Sequence, residues 1–293
     1  IGLWLMGQSV ADYREHRFRA QDGLSLYYRD YGDRDSTALP LLCLPGLTRN
    51  SRDFHKVAQR HSETRRVICP DYRGRGRSDY DPSAKSYQPA IYLNDIRHLL
   101  TITGIGRAVV IGTSLGGLLA MGMGAAIPTA LAGVVLNDIG PGVGVSGLEK
   151  IMDYISADRP HPDWNSAVQD MKRIFPNLTL ETDADWRDAA QATWREGDDG
   201  TLHFDWDIRL AASVRDGPAI PDLWPLFQSL DKVPTLAIRG ALSDVLTAET
   251  FDAMARTLIS STRLSPTPSC SPPSSPPPPP SSRRGSARSA APS

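Results

Sequence analysis

An α/β fold built on a mostly parallel sheet, with helices on both faces and one insertion, is what this sequence predicts from three observations. Short continuous apolar runs rich in Val, Ile and Leu recur through the first half and return near residue 234, the pattern of strands covered on both faces. Between them lie segments with helical spacing, and such alternation implies parallel crossover units. The rhythm stops at Gly142 and resumes at Pro234. That interval is expected to lie over one end of the sheet, where ligands bind in folds of this kind.

The elements follow in order. His16 to Ala20 and Leu24 to Tyr31 are β-prone runs around Asp22-Gly23, a dipeptide suited to positive φ, so the chain is expected to open with a hairpin. PLLCLP (40–45), RVICP (66–70), AVVIG (108–112), AGVVLND (132–138) and PTLAIRG (234–240) read as buried strands, and 51–62, 89–102 and 115–126 as helices. Residues 108–137 carry no charge and imitate a membrane span, but Gly112, Gly116, Gly117, Gly122, Gly124 and Pro128 cut the run into strand, turn, helix, turn and strand. The expected organisation is a short N-terminal extension over 1–14, a core over 15–141 and 223–260, a helical cap over 142–222 and a disordered Ser/Pro-rich tail over 261–293. The cap carries Trp164, Trp186, Trp194 and Trp206, read as core or as an apolar pocket wall.

Composition narrows the function classes. Lys and Arg number 32 and Asp and Glu 33, a net charge of −1, so no nucleic-acid or membrane-surface partner is expected, and a small neutral substrate fits. RGRGR at 73–77 imitates an RNA-binding run but is single and set among Asp71, Asp79 and Asp81, so a structural loop is the better reading. Cys43, Cys69 and Cys270 have neither disulfide-framework nor zinc spacing; no metal or organic cofactor is expected. The opening IGLWLM is short, lacks a basic leader and reads as an extension before a start at Met6. A cytoplasmic protein is the expectation, and the oligomeric state is left open.

The chemistry centres on Gly112-Thr113-Ser114-Leu115-Gly116, which ends a predicted strand and opens a predicted helix. A nucleophilic serine needs a sharp, strained turn that projects its hydroxyl from the sheet edge, and flanking glycines let that turn close.

With this motif in context, the chain resembles the α/β-hydrolase superfamily, in its small serine esterase and lactonase branch. LCLPGLTRNSRDF (42–54) resembles the loop that supplies half of the oxyanion hole, and DYRGRGRSDYD (71–81) the loop after the next strand. VVLNDIGP (134–141) resembles the strand leading into the cap, and RGALSDVL (239–246) the strand end carrying the acid. The resemblance implies that Ser114 attacks a carbonyl carbon while the N–H groups of Leu47 and Leu115 hold the oxyanion, with Gly46, Gly112 and Gly116 in supporting roles. It implies Asp244 as triad acid, with Asp138 as second choice. Many relatives have His-Gly where this chain has Pro45-Gly46. The implied reaction is hydrolysis of a small carboxylic ester or lactone; hydroxynitrile lyases and cofactor-free enzymes share the triad.

One part is missing. The order in this fold is Ser, acid, His, yet the last of six histidines is His203, and none follows Asp244. No triad His is therefore assigned. His55 and His203 are upstream substitutes that nothing in their contexts aims at Ser114, and His98 falls on a helix. The last strand and closing helix of the fold are expected to be missing, their place taken by the Ser/Pro tail. A reading-frame error is one explanation. A genuine terminus able to dock on SH3-like domains is the other, and it would make the chain a non-catalytic binding protein. The chain as written is expected to be an impaired hydrolase.

Overall fold

The computed structural model describes residues 12–142, 144–176, 178, 180–216, 221–257 and 263–266. Met6, Cys270 and the tail beyond residue 266 lie outside the described residues. The first hairpin forms as expected: β1 (Tyr13–Arg19) pairs antiparallel with β2 (Ser25–Tyr31), and Gly23 takes φ 89° in the turn. The supposed extension over 1–14 is corrected at its end, because Tyr13 already pairs with Tyr31 and its ring lies under the Arg29 guanidinium at 4.2 Å. That cation–π contact anchors the start of the strand.

Next come β3 (Leu41–Leu44), a 3-10 turn (Ser51–Phe54) running into α1 (His55–Ser62), β4 (Val67–Pro70), α2 (Pro89–Ile102), β5 (Ala108–Thr113), α3 (Leu115–Ala126) and β6 (Leu131–Asn137). After the insertion, α8 (Trp224–Gln228), β9 (Thr235–Arg239), α9 (Ala248–Thr257) and β10 (Arg263–Pro266) complete the described core. The sheet order is β1-β2-β4-β3-β5-β6-β9-β10, parallel from β4 to β10. The last strand, expected to be missing, is thus present as β10 beside β9. A strand edge with open N–H and C=O groups is a template that even four extended residues can fill. Among the described residues no helix follows it.

Alternation divides the core between the two faces of the sheet. Leu42 and Leu44 join the larger cluster, with Val110, Leu119, Leu136 and Ala237, while Leu41, Cys43, Val67 and Cys69 pack with Phe54 and Ala58 on the other face.

The insertion is less uniformly helical than expected. After α4 (Val145–Ile155), α5 (Trp164–Ile174) and α6 (Asp183–Gln191), a two-stranded antiparallel unit forms from β7 (Trp194–Glu196) and β8 (Leu202–Phe204), then the short α7 (Leu210–Arg215). Its turn uses Gly200 at φ 76°, and the alternating burial of Leu202 and Phe204 about His203 supplies the strand pattern. Among the described residues no helix is long and apolar enough to cross a membrane.

Register puts the candidate residues level with one another. Leu44, Gly112, Leu136 and Ala237 form one row across β3, β5, β6 and β9. Two residues beyond the row lie Gly46, Ser114 and Asp138, all at the C-terminal edge of the sheet.

Candidate active site

Ser114 occupies φ 50°, ψ −115° at the head of α3. Only three non-glycine residues among those described have positive φ, namely Ala84, Ser114 and Asp138. Such a backbone costs free energy and persists only where its surroundings over-determine it. Here they do. The Ser114 N–H donates to the Asn137 carbonyl at 3.1 Å, and the Ser114 carbonyl accepts from Gly117 and Leu118 at 2.9 and 3.1 Å. A Cβ at Gly112 would enter the Gly116 peptide, and one at Gly116 would enter the Leu44 carbonyl. Serine at a helix head commonly caps the first turn, yet the Ser114 side chain makes no capping bond.

The loop after β3 closes over this turn. A Cβ at Gly46 would stand 3.8 Å from the Ser114 Cβ and 3.4 Å from the Arg49 Cγ. The carbonyls of the loop are bonded away from that side: Tyr72 Oη–H donates to Pro45 at 3.2 Å, Arg75 Nε–H to Leu47 at 2.6 Å, and Arg49 N–H to Gly46 at 3.2 Å. Among the described residues, the Leu47 and Leu115 N–H groups have no acceptor. Leu115 is the first residue of α3, where orphan N–H groups and the helix dipole favour negative charge. Backbone donors of this kind, fixed before any charge develops, are what an oxyanion hole requires.

Two of the arginines in RGRGR, Arg73 and Arg75, are tied into the fold by their bonds. Arg73 is buried and paired with both Asp95 oxygens at 2.8 and 2.7 Å. Arg75, fully buried, bonds Leu47, the Arg73 carbonyl and Tyr92 Oη, and has no carboxylate partner among the described residues. Asp71 accepts from the N–H groups of Ser51 and Arg77 at 2.7 and 2.9 Å, and burial pushes its carboxyl up. Sequence reasoning missed this bracing role, because Arg75 and Leu47 lie 28 residues apart and meet only in the fold.

The two acid candidates are placed differently. Asp138 follows β6, its Oδ1 accepting from Gly240 N–H at 3.1 Å and its Oδ2 from Ser243 Oγ–H at 2.9 Å. Ser243 Oγ in turn accepts from the N–H groups of Val245 and Leu246. Asp138 therefore ties down the loop that carries Asp244. Asp244 itself is 40% exposed and bonded to Lys150 of α4, which holds its carboxyl below the usual range.

All six histidines are described, and the rings of five are engaged elsewhere, while His61 lies in the last turn of α1. His55 Nδ1 lies 3.0 Å from Tyr31 Oη, with burial lowering its pKa. His203 sits between Asp158 at 2.5 Å and Asp199 at 3.0 Å, which raise its pKa. His98 packs edge-on against Phe18, His16 stacks on Tyr28, and His161 lies 3.4 Å from Asp170. The His61 carbonyl closes the end of α1.

The insertion is stitched to this edge by polar bonds. Arg49 reaches Thr193 Oγ1 at 2.5 Å, Asn50 the Ala192 carbonyl and Asp205, and Arg52 the Gln191 carbonyl. Gly76 N–H donates to the Asp205 carbonyl, and Tyr87 Oη–H to Asp207 at 2.6 Å. Burial pushes the Asp205 carboxyl up to about 6. Among the described residues no group of three His, Cys, Asp or Glu is placed to hold a metal ion. A surface cleft of about 370 Å³ lined by Arg97, Ile105 and Ala130 lies at the opposite end of the sheet and has no part in this arrangement.

Comparison with known proteins agrees with this fold. A family model described as alpha/beta hydrolase fold matches residues 40–254. The chain is similar to the 3-hydroxybutyrate-oligomer hydrolase of Cupriavidus necator, with 31% identity over 78% of this chain and 80% of that protein. It is also similar to the 2-(acetamidomethylene)succinate hydrolase of Mesorhizobium japonicum, with 26% identity over 74% of each. The crystal structure of an alpha/beta hydrolase from Novosphingobium aromaticivorans superposes with a TM-score of 0.81 at 39% identity, covering 88% of this chain and 90% of that one.

Proposed function

The chain belongs to the alpha/beta hydrolase fold family, and on that premise we propose that it is a serine hydrolase cleaving a small carboxylic ester or lactone through an acyl-enzyme on Ser114. The observation that carries the reading is the strained backbone of Ser114 at the head of α3, with its hydroxyl not spent on capping. Ser114 Oγ adds to the ester carbonyl carbon as a general base takes its proton, and the N–H groups of Leu47 and Leu115 take the oxyanion. Collapse breaks the ester C–O bond, the leaving oxygen takes that proton and departs as the alcohol, and water then releases the acid from the acyl-enzyme. Asp244 is the proposed triad acid, the group that would orient a base imidazole, with Asp138 holding its loop. The chemistry needs no metal or organic cofactor. Similarity to a hydrolase of 3-hydroxybutyrate oligomers supports an ester substrate. Two buried free thiols, Cys43 and Cys69, support a reducing, cytoplasmic setting.

The base is the missing part, since no histidine follows Asp244 in these residues. Without it, catalysis falls toward the residual factor of roughly 10³ over water that an oxyanion hole and binding supply. The engagement of five histidine rings elsewhere, with His61 in the last turn of α1, favours a second reading, a non-catalytic binding protein on the same fold. A fluorophosphonate probe separates the two. Labelling of the wild-type protein that Ser114→Ala abolishes supports the hydrolase, whereas a folded protein left unlabelled supports the binding module. Sequencing the gene across codons 255–293 tests the base: a one-base correction that opens a His-containing loop supplies it.

A further inference from the structure

Three buried hydrogen-bond donors beside the oxyanion loop have no partner among the described residues. Trp206 is 2% exposed and its indole N–H is unpaired; the Tyr154 hydroxyl is shielded from solvent and unpaired; so is Nη2 of the fully buried Arg75. Buried polar atoms are ordinarily bonded, and each exception calls for an explanation. These three are physically connected. The Trp206 backbone bridges that of Arg75, whose Nε holds the Leu47 carbonyl at 2.6 Å. The Tyr154 ring lies 5.6 Å from the Trp206 ring and 5.3 Å from Phe204. Arg49, whose stem passes Gly46 beside Ser114, is the first of the cations acting on the Tyr154 hydroxyl.

The surroundings are apolar but not indifferent. Trp206 stacks on Phe204 at 3.9 Å, and Phe204 on Trp194 at 5.5 Å, an aromatic stack buried in the core. Such a stack gains nothing from unpaired N–H and O–H groups at its margin, because their desolvation is uncompensated. Burial pushes the Tyr154 phenol up, so it stays a donor at neutral pH. Arg75 adds a buried positive charge that no carboxylate among the described residues neutralises.

We propose that Trp206 Nε1–H and Tyr154 Oη–H form a subsite for a second acceptor oxygen of the substrate, a few bonds from the scissile ester. The substrate class is then a short hydroxyacyl ester whose carbonyl or carboxylate oxygens recur along the chain, not a plain alkyl ester. The position of the scissile bond rests on the serine-hydrolase reading; the acceptor subsite does not.

The test uses the full-length Ser114→Ala protein, which binds without turnover, and two probes: the linear dimer of 3-hydroxybutyric acid and pentyl butyrate, an ester of similar length without the second oxygens. The Trp206 indole N–H resonance, identified by its loss in Trp206→Phe, is expected to move downfield with the dimer and to stay in place with pentyl butyrate. By calorimetry, Trp206→Phe and Tyr154→Phe, which keep the rings, are each expected to weaken dimer binding about tenfold and to leave pentyl butyrate unchanged. A dimer that does not bind, a resonance that does not move, or variants that bind both esters like the parent would overturn the subsite. A wild-type protein that fluorophosphonate leaves unlabelled, but whose Trp206 resonance responds to the dimer, loses the hydrolase reading and keeps the subsite. Labelling without the response does the reverse.

Discussion

The turn at Ser114 combines backbone hydrogen bonds with glycines that have no room for a side chain, whereas the Gly240 turn beside Asp138 has that room and is held by hydrogen bonds. On the nucleophile side, Gly112 and Gly116 have no room for a single methyl group, since main-chain atoms already fill the space. On the acid side, Gly240 has its nearest neighbours at 3.7 to 3.9 Å and its turn is shaped by Asp138 and Ser243, while exclusion by the backbone is found at Gly144 and Gly147, where a Cβ would run into the Asp244 carbonyl oxygen. The difference teaches which half of the site tolerates sequence change. A steric constraint between backbones cannot relax by turning a side chain, while a polar bond can be exchanged for another or for water.

The largest expected effect breaks the steric half. Gly116→Ala is expected to cost about 3 kcal/mol of stability, while Gly240→Ala should change it by less than about 0.5 kcal/mol. Urea denaturation of both variants checks this, and equal losses would dissolve the contrast.

The seam between insertion and core offers a pH test of the polar kind of constraint. Asp205 is buried, and its carboxyl is raised to about 6 in the folded protein. A carboxyl whose folded pKa exceeds its unfolded value holds its proton more tightly in the native state, so stability falls as pH rises from about 4 through about 6. The cost reaches roughly 3 kcal/mol above that window, at 1.4 kcal/mol per unit. Asp205→Asn should remove this slope and melt higher than the parent at pH 8, with little difference at pH 4. Thermal melts across the range settle the matter, and an unchanged slope would remove Asp205 from the account.

The smallest effects compare the two carboxylates. Asp138→Asn turns an acceptor into a donor facing Gly240 N–H or Ser243 Oγ–H, and a loss of about 1 to 2 kcal/mol is expected. Lys150→Ala removes a pair in which Lys150 is 73% and Asp244 40% exposed. Screening by water limits that loss to less than about 0.5 kcal/mol. Chemical denaturation at low and high salt measures both, and a larger loss for Lys150→Ala would reverse the ranking of the two acids.

Much of this was legible in advance because it is local. The predicted helix over 115–126 is α3 residue for residue, since uncharged apolar sequence opening at a glycine-flanked serine has few alternatives. The β7–β8 unit was missed because two three-residue strands give too short a period beside the helical stretches around them. β10 was missed because Arg263–Pro266 has no strand signal of its own and is ordered by the open edge of β9.

The sequence by itself determined the fold and the turn at Ser114, because periodicity and glycine spacing act through neighbours along the chain; the candidate acids were implied by its resemblance to a family. Only the tertiary structure decided how those parts are supported. Arg75 behind Leu47, Asp138 behind the Asp244 loop, and Trp206 with Tyr154 beside the oxyanion loop each join segments from 28 to more than 100 residues apart. Such pairings depend on which strand ends share an edge, a property of strand order and register that no local pattern encodes.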